Sequence, residues 1–179
     1  IAFMNGCTLQ NIDINTARCY VNGGGWGTVA TGGSLEGIHF SAADGIAENL
    51  ACSGDAGAGK GDFDSSSGGA RSVVRLLKAA SRAVLRHNDG LILGCYCGGT
   101  IEPHEGARLR AIGNGIVGNW GHPGNSSPAD SVHAGNVVPG TLILNATATN
   151  TLVVGNRLDG APSDSGTNNT IAANDETAF

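Results

Sequence analysis

The sequence predicts an all-β chain wound as a parallel β-helix, a β-solenoid, with loop insertions and one short helical segment. Three observations carry this. The 179 residues include 30 glycines and only 14% charged residues, which suits a chain that turns often in fixed geometry. The glycines fall with Asn, Thr and Ser between short β-branched runs, the pattern of many short strands joined by polar corners. Short apolar motifs also recur along the chain, as stacked coils require.

The N-terminal stretch supplies the first recurrence. Thr8-Leu9-Gln10-Asn11-Ile12-Asp13-Ile14 returns as Ser34-Leu35-Glu36-Gly37-Ile38-His39-Phe40, with Gly6 matching Gly32 and Ala17 matching Ala43. This predicts a coil offset of about 26 residues, within the range of solenoid repeats. Ile12 with Ile14, and Ile38 with Phe40, would share a strand face and build an apolar ladder.

The middle differs. Residues 52–69 are rich in Gly, Ser and Asp and read as an exposed insertion, which we place around 53–89 of a single domain spanning 1–179. Within it, residues 71–87 are the best helix candidate. Arg71, Arg75, Lys78, Arg82 and Arg86 recur near helical spacing, with Val74, Leu77 and Leu85 free to pack. Ser72-Val73-Val74-Arg75-Leu76-Leu77 reads equally well as strand. Residues 90–97 read as a buried strand.

The C-terminal third repeats the coil signature. Thr141-Leu142-Ile143-Leu144 precedes Asn150-Thr151-Leu152-Val153-Val154-Gly155-Asn156, and Asn169-Thr170-Ile171-Ala172-Ala173-Asn174 echoes the latter. Asn suits such corners because it tolerates left-handed backbone and bonds locally. Identical residues on successive coils can also form ladders. The stretch 120–139, with its prolines and glycines, reads as a protruding loop.

The Thr-Leu-x-Asn-Ile-x-Ile stretch at 8–14, the Asn-Asn-Thr-Ile-x-x-Asn stretch at 168–174 and the segment 150–158 resemble coils of pectate-lyase-like right-handed parallel β-helices. That superfamily includes polysaccharide lyases, glycoside hydrolases, epimerases and viral tailspikes. Within it the chain looks most like a bacteriophage tailspike or related surface-glycan protein. The resemblance implies an extracellular or virion-surface module, homo-oligomeric and trimeric by analogy, that binds a carbohydrate polymer. It specifies architecture rather than chemistry. Three functions follow: a polysaccharide-binding module, a lyase or hydrolase, and a structural trimeric appendage. The residues leave open whether the chain is an enzyme.

Glycan hydrolysis uses two carboxylates facing one sugar. Asp62 and Asp64 are two apart and would share a strand face around Phe63. Glu102-Pro103-His104-Glu105 is more concentrated, and His104 between two carboxylates is our preferred acid/base centre. Arg108 and Arg110 follow and could bind an acidic sugar. Trp26, Tyr96 and Trp120 offer sugar-stacking surfaces, each against the plainer reading of a structural ring. Against every one of these sites stands the bland reading of a solvated turn or core residue.

The formal net charge of -5 gives no general attraction for nucleic acid or anionic membrane. No apolar run is long enough to span a bilayer. Five cysteines, an odd count, argue against a fully paired disulfide framework. Cys95 and Cys97 read as buried free thiols rather than half of a metal site. No metal or cofactor is expected, since no tight His-x-His or acidic calcium loop occurs. The start at Ile1 reads as an excised piece of a longer chain.

Overall fold

A computed structural model describes residues 2–4, 8–10, 14–22, 29–31, 34–40, 44–52, 63–65, 71–86, 88–104, 107–121 and 127–176; for 2–40 and 63–65 it places the backbone alone. The chain is a parallel β-solenoid, and the register shows three strand positions in each complete coil. A nine-stranded sheet forms the first side, built from strands such as Val73–Arg75, Leu91–Leu93, Arg110–Ile112, Val132–Ala134 and Leu152–Val154. The second side stacks two-residue strands: Lys78–Ala79, Tyr96–Cys97, Gly115–Ile116, Val137–Val138 and Arg157–Leu158. The third side stacks Phe63–Ser65, Arg82–Leu85 and Thr100–Pro103, continues through bridges at Trp120 and Leu142, and ends in Ile143–Leu144 against Ser163–Asp164. Every strand pairing is parallel, so neighbouring coils satisfy each other's backbone groups.

The core follows from strand alternation. On the first side Ala47, Val74, Ile92, Ala111, His133 and Val153 form one inward column, all about 1% exposed or less. Cys52, Ala79, Cys97, Ile116, Val138 and Leu158 do the same on the second side. Ala83, Ile101, Trp120 and Leu142 close the third. Each fully buried aliphatic side chain contributes about 1.5–3 kcal/mol.

Corners need special backbone. Two left-handed positions recur from coil to coil. One, before the first side, is occupied by Asp44, Arg71, Asp89, Arg108, Asp130, Asn150 and Asn168. The other, after it, holds Asn49, Leu76, Gly94, Gly113, Gly135, Gly155 and Ala173. Between the second and third sides the coils approach so closely that a Cβ on Gly99 would stand 1.9 Å from the Ser81 carbonyl oxygen.

Two expectations fail here. Among the described residues there is no helix, and 71–86 form strands Val73–Arg75, Lys78–Ala79 and Arg82–Leu85. Arg71 and Leu76 have φ of 56° and 53°, which a right-handed helix forbids. The helical-looking arginine spacing arises because corners and outward strand positions fall at similar intervals. The offset of 26 residues also mixes two sides of the solenoid. Thr8 pairs with Val29, whereas Ile14 pairs with Leu35 and Val21 with Phe40. Equivalent residues lie 18 to 22 apart in the later coils and 27 apart across the coil containing 53–70.

Candidate functional site

The third side gathers several acid/base residues by register. Tyr20 pairs with His39, His39 with Asp64, Asp64 with Val84, and Val84 with Glu102. Strand alternation places Val84 and Glu102 opposite the inward Ala83 and Ile101. Asp64 and Glu102 are two strand steps apart, about 9.6 Å between backbones. Glu102 and Val84 face away from the core yet are 2% and 0% exposed, so this side is covered.

A buried carboxylate requires a cation, and the preceding coil supplies one. Arg82 donates from Nε to Glu102 Oε1 at 2.8 Å and from Nη2 to Oε2 at 2.7 Å. This fork-to-fork pair satisfies both carboxylate oxygens. Glu102 is therefore held through both of its oxygens. His104 follows Pro103 and is half-buried; its amide donates to the Leu85 carbonyl at 2.8 Å. Asp62, Glu105 and Trp26 lie outside the described residues.

Arg108 and Arg110 stand elsewhere, on the margin of the first side. The left-handed corner before that sheet stacks alternating charges: Asp44, Arg71, Asp89, Arg108 and Asp130. Arg71 grips Asp44 with two bonds of 2.6 Å. Arg108 grips Asp89, its Nη2 donating to Oδ2 at 2.8 Å. These hydrogen bonds hold the Asp44 and Asp89 carboxyls below the usual carboxylate range, with the arginine charges adding to the effect. The same partners push Arg71 and Arg108 upward. One coil on, Asn150 Nδ2 donates to Asp130 Oδ1 at 2.9 Å.

Beside this column runs a groove of about 550 Å³. Asp89, Arg108 and Asp130 form its charged wall, and Leu91, Ile112 and Val132 its aliphatic floor. Arg110 projects from the sheet into the groove lining, exposed, and makes no ion pair among the described residues. Such a groove can hold a ligand with an apolar face and polar edges.

The aromatic candidates divide. Tyr96 is 48% exposed on the second side, beside Gly115. Trp120 is 1% exposed, inside the third side, its ring edge-on to His133 at 5.3 Å. A ring in the core offers no face to an external sugar, so Trp120 packs rather than stacks on ligand. His133 is buried beside it, and neither ring nitrogen has a hydrogen-bond partner among the described residues. Desolvation pulls its pKa from 6.5 down to about 4. Cys95 is likewise inert, its thiol pushed up to about 11 by burial.

Sequence reasoning missed Asp89, Asp130, Arg82 and the corner column. The signal was present as a charged or Asn residue two positions before each first-side strand from Ile46–Glu48 onward, but variable coil length concealed it. Among the described residues no three His, Cys, Asp or Glu converge as a metal site would. Compared with models of protein families, with curated proteins and with solved structures, the chain matches none.

Proposed function

We propose that this β-solenoid binds a surface polysaccharide, as a tailspike-like module of the pectate-lyase-like superfamily would. One observation carries the reading: a groove on the first side with a charged wall over an aliphatic floor. Pyranose rings present C–H faces and equatorial hydroxyls, which fit apolar floors and charged rims respectively. Arg110 supplies a donor fork without an internal carboxylate to compete for it. The test is binding to a panel of acidic and neutral bacterial polysaccharides by wild type and R110A. The reading expects at least one ligand and a loss of about tenfold in R110A, or about 1.4 kcal/mol. Equal binding by R110A, or no ligand across the panel, would refute it.

A second reading, a glycoside hydrolase or lyase on the third side, draws on the register of Asp64 with Glu102. Their backbone spacing is compatible with the wider carboxylate separation of inverting enzymes. The Arg82 clamp on a buried Glu102 weighs against it. Product release by wild type, lost in folded E102Q and H104A, is the outcome this reading requires.

A further inference from the structure

We infer that the corner after the first side holds a second sugar site, one that takes a pyranose ring bearing a single anionic group. The site shares no lining residue with the groove and makes no use of Arg110.

The site is an open pocket of about 550 Å³, lined by Leu76, Leu77, Lys78, Gly94 and Tyr96. That volume lies within the range of small-ligand sites. Register builds it. Lys78 and Tyr96 are partners on adjacent second-side strands, so their backbones stand about 4.8 Å apart. Their outward neighbours are small: Ala51 on the coil before and Gly115 on the coil after. Glycines also set how the larger side chains lie. A Cβ on Gly115 would stand 3.5 Å from Tyr96 Cδ2, and one on Gly94 would stand 3.4 Å from Leu76 Cδ2. Both side chains therefore lean over the next coil where it carries no side chain of its own. Tyr96 stays 48% exposed and Leu76 55%.

Charge and surface chemistry select the occupant. Lys78 is exposed and makes no ion pair among the described residues, and no carboxylate lines the pocket. In the groove, by contrast, Asp89 neutralises Arg108. An uncompensated cation on a chain of net charge -5 selects an anion. The ammonium is a compact point charge without a planar fork, so a carboxylate and a phosphate satisfy it equally. Beside it, the Tyr96 ring and the Leu76 side chain offer apolar surface to the C–H face of a pyranose. The Tyr96 hydroxyl makes no hydrogen bond among the described residues and is free to meet a sugar hydroxyl. An acidic pyranose uses the cation, the apolar surface and the hydroxyl together. An aromatic acid uses the first two and leaves the hydroxyl unmatched, and a neutral sugar leaves Lys78 unmatched.

Nuclear magnetic resonance titration of the full chain tests this, with glucuronate, glucose 6-phosphate, glucose and benzoate as probes. At least one acidic sugar is expected to shift the Tyr96 ring and Lys78 side-chain resonances saturably, and the tighter of the two names the anion. Glucose is expected to bind about tenfold more weakly. K78A and Y96A are each expected to lose about tenfold in affinity with an unchanged far-ultraviolet circular dichroism spectrum, and K78R to keep most of it. R110A is expected to bind at this site as wild type does. Glucose bound as tightly as the acidic sugars, benzoate bound more tightly than both, a K78A or Y96A that binds like wild type, a shift lost in R110A, or resonances that do not move would each overturn the inference. A Tyr96 shift that persists when the polysaccharide panel fails would refute the groove and leave this site standing.

Discussion

The early coils and the late coils meet the same corner with different chemistry. One residue beyond the left-handed position after the first side, the early coils place Leu50, Leu77 and Cys95, all buried. The late coils place Asn114, Asn136, Asn156 and Asn174 there. The backbone is the same in both: from Leu50 to Asn156 the carbonyl of each receives the amide of the residue that starts the next coil's second side, at 2.7 to 2.8 Å. In the early coils the side chain joins the core and the corner is stabilised by burial. In the late coils each amide oxygen accepts from the backbone and side-chain amide of the preceding Asn, and each Nδ2 also donates to a carbonyl on the first side. The join is Cys95, whose backbone N–H donates to Asn114 Oδ1 at 2.8 Å while its buried thiol donates to the Val74 or Leu93 carbonyl at 3.6 Å. A burial corner tolerates changes that conserve volume, whereas a polar ladder fixes register and tolerates no missing member.

Breaking the ladder at its centre is therefore expected to have the largest effect. Asn136 Oδ1 accepts from Asn114 N at 3.0 Å and Asn114 Nδ2 at 2.9 Å, and its Nδ2 donates to Ala111 O at 3.1 Å and Asn156 Oδ1 at 2.9 Å. N136A strands several buried polar groups and is expected to cost about 4 kcal/mol in urea unfolding. L77M, a volume-conserving change at the same corner, is expected to cost under about 1.5 kcal/mol. C95N would extend the ladder by one coil and is expected to be similarly mild. Equal losses in N136A and L77M would mean that the two corner types do not differ as argued.

The next contrast is in acid. His133 sits in the inward column between Ala111 and Val153, with Trp120 against its ring and no carboxylate facing it from either neighbouring strand. It is neutral when folded, with a pKa lowered from 6.5 to about 4, but takes a proton below 6.5 when unfolded. Its contribution is complete above pH 6.5 and is lost as pH falls to about 4. The total is about 3 kcal/mol at 1.36 kcal/mol per pKa unit. The early coils depend instead on Asp44 and Asp89, whose lowered carboxyls keep their arginine pairs until the pH falls below the ordinary carboxylate range. The late coils should thus loosen first on acidification. Unfolding titrations at pH 7 and pH 4 check this, with H133L expected to remove most of the slope between them. An unchanged slope in H133L would assign it to other groups.

Much of this fold was legible in the sequence, and the reasons the rest was not are specific. Asn156 and Asn174, read as echoes in two motifs, do stack in register, because the last coils are of nearly equal length. The 26-residue offset failed because coils run from 18 to 27 residues, so no single shift aligns them. The helix expected over 71–87 failed because its arginines match helical spacing while Arg71 and Leu76 sit at left-handed corners. Trp120 belongs to a strand reduced to isolated bridges, too short for alternation to reveal which way the ring points. The Arg82–Glu102 pair joins residues 20 apart. Neither member announces the other without the register.

The smallest expected effect concerns the left-handed corner after the first side, where the two regions differ again. Leu76 occupies it in an early coil with φ of 53°, and Gly135 in a late coil with φ of 61°. A left-handed L-residue costs about 1–2 kcal/mol, because its Cβ crowds the following carbonyl. Glycine avoids this but loses about 0.5–1 kcal/mol more backbone entropy on folding. A Cβ at Gly135 meets no atom within 4 Å, so G135A isolates the conformational term and is expected to cost about 1 kcal/mol. L76G removes the same strain, and with it the contact of the Leu76 side chain with the Gly94 corner. It is expected to stabilise by under about 1 kcal/mol. Thermal melts measure both. Opposite signs would show that backbone strain decides this corner. A loss in L76G as large as that in G135A would show that the leucine is retained for its packing over Gly94.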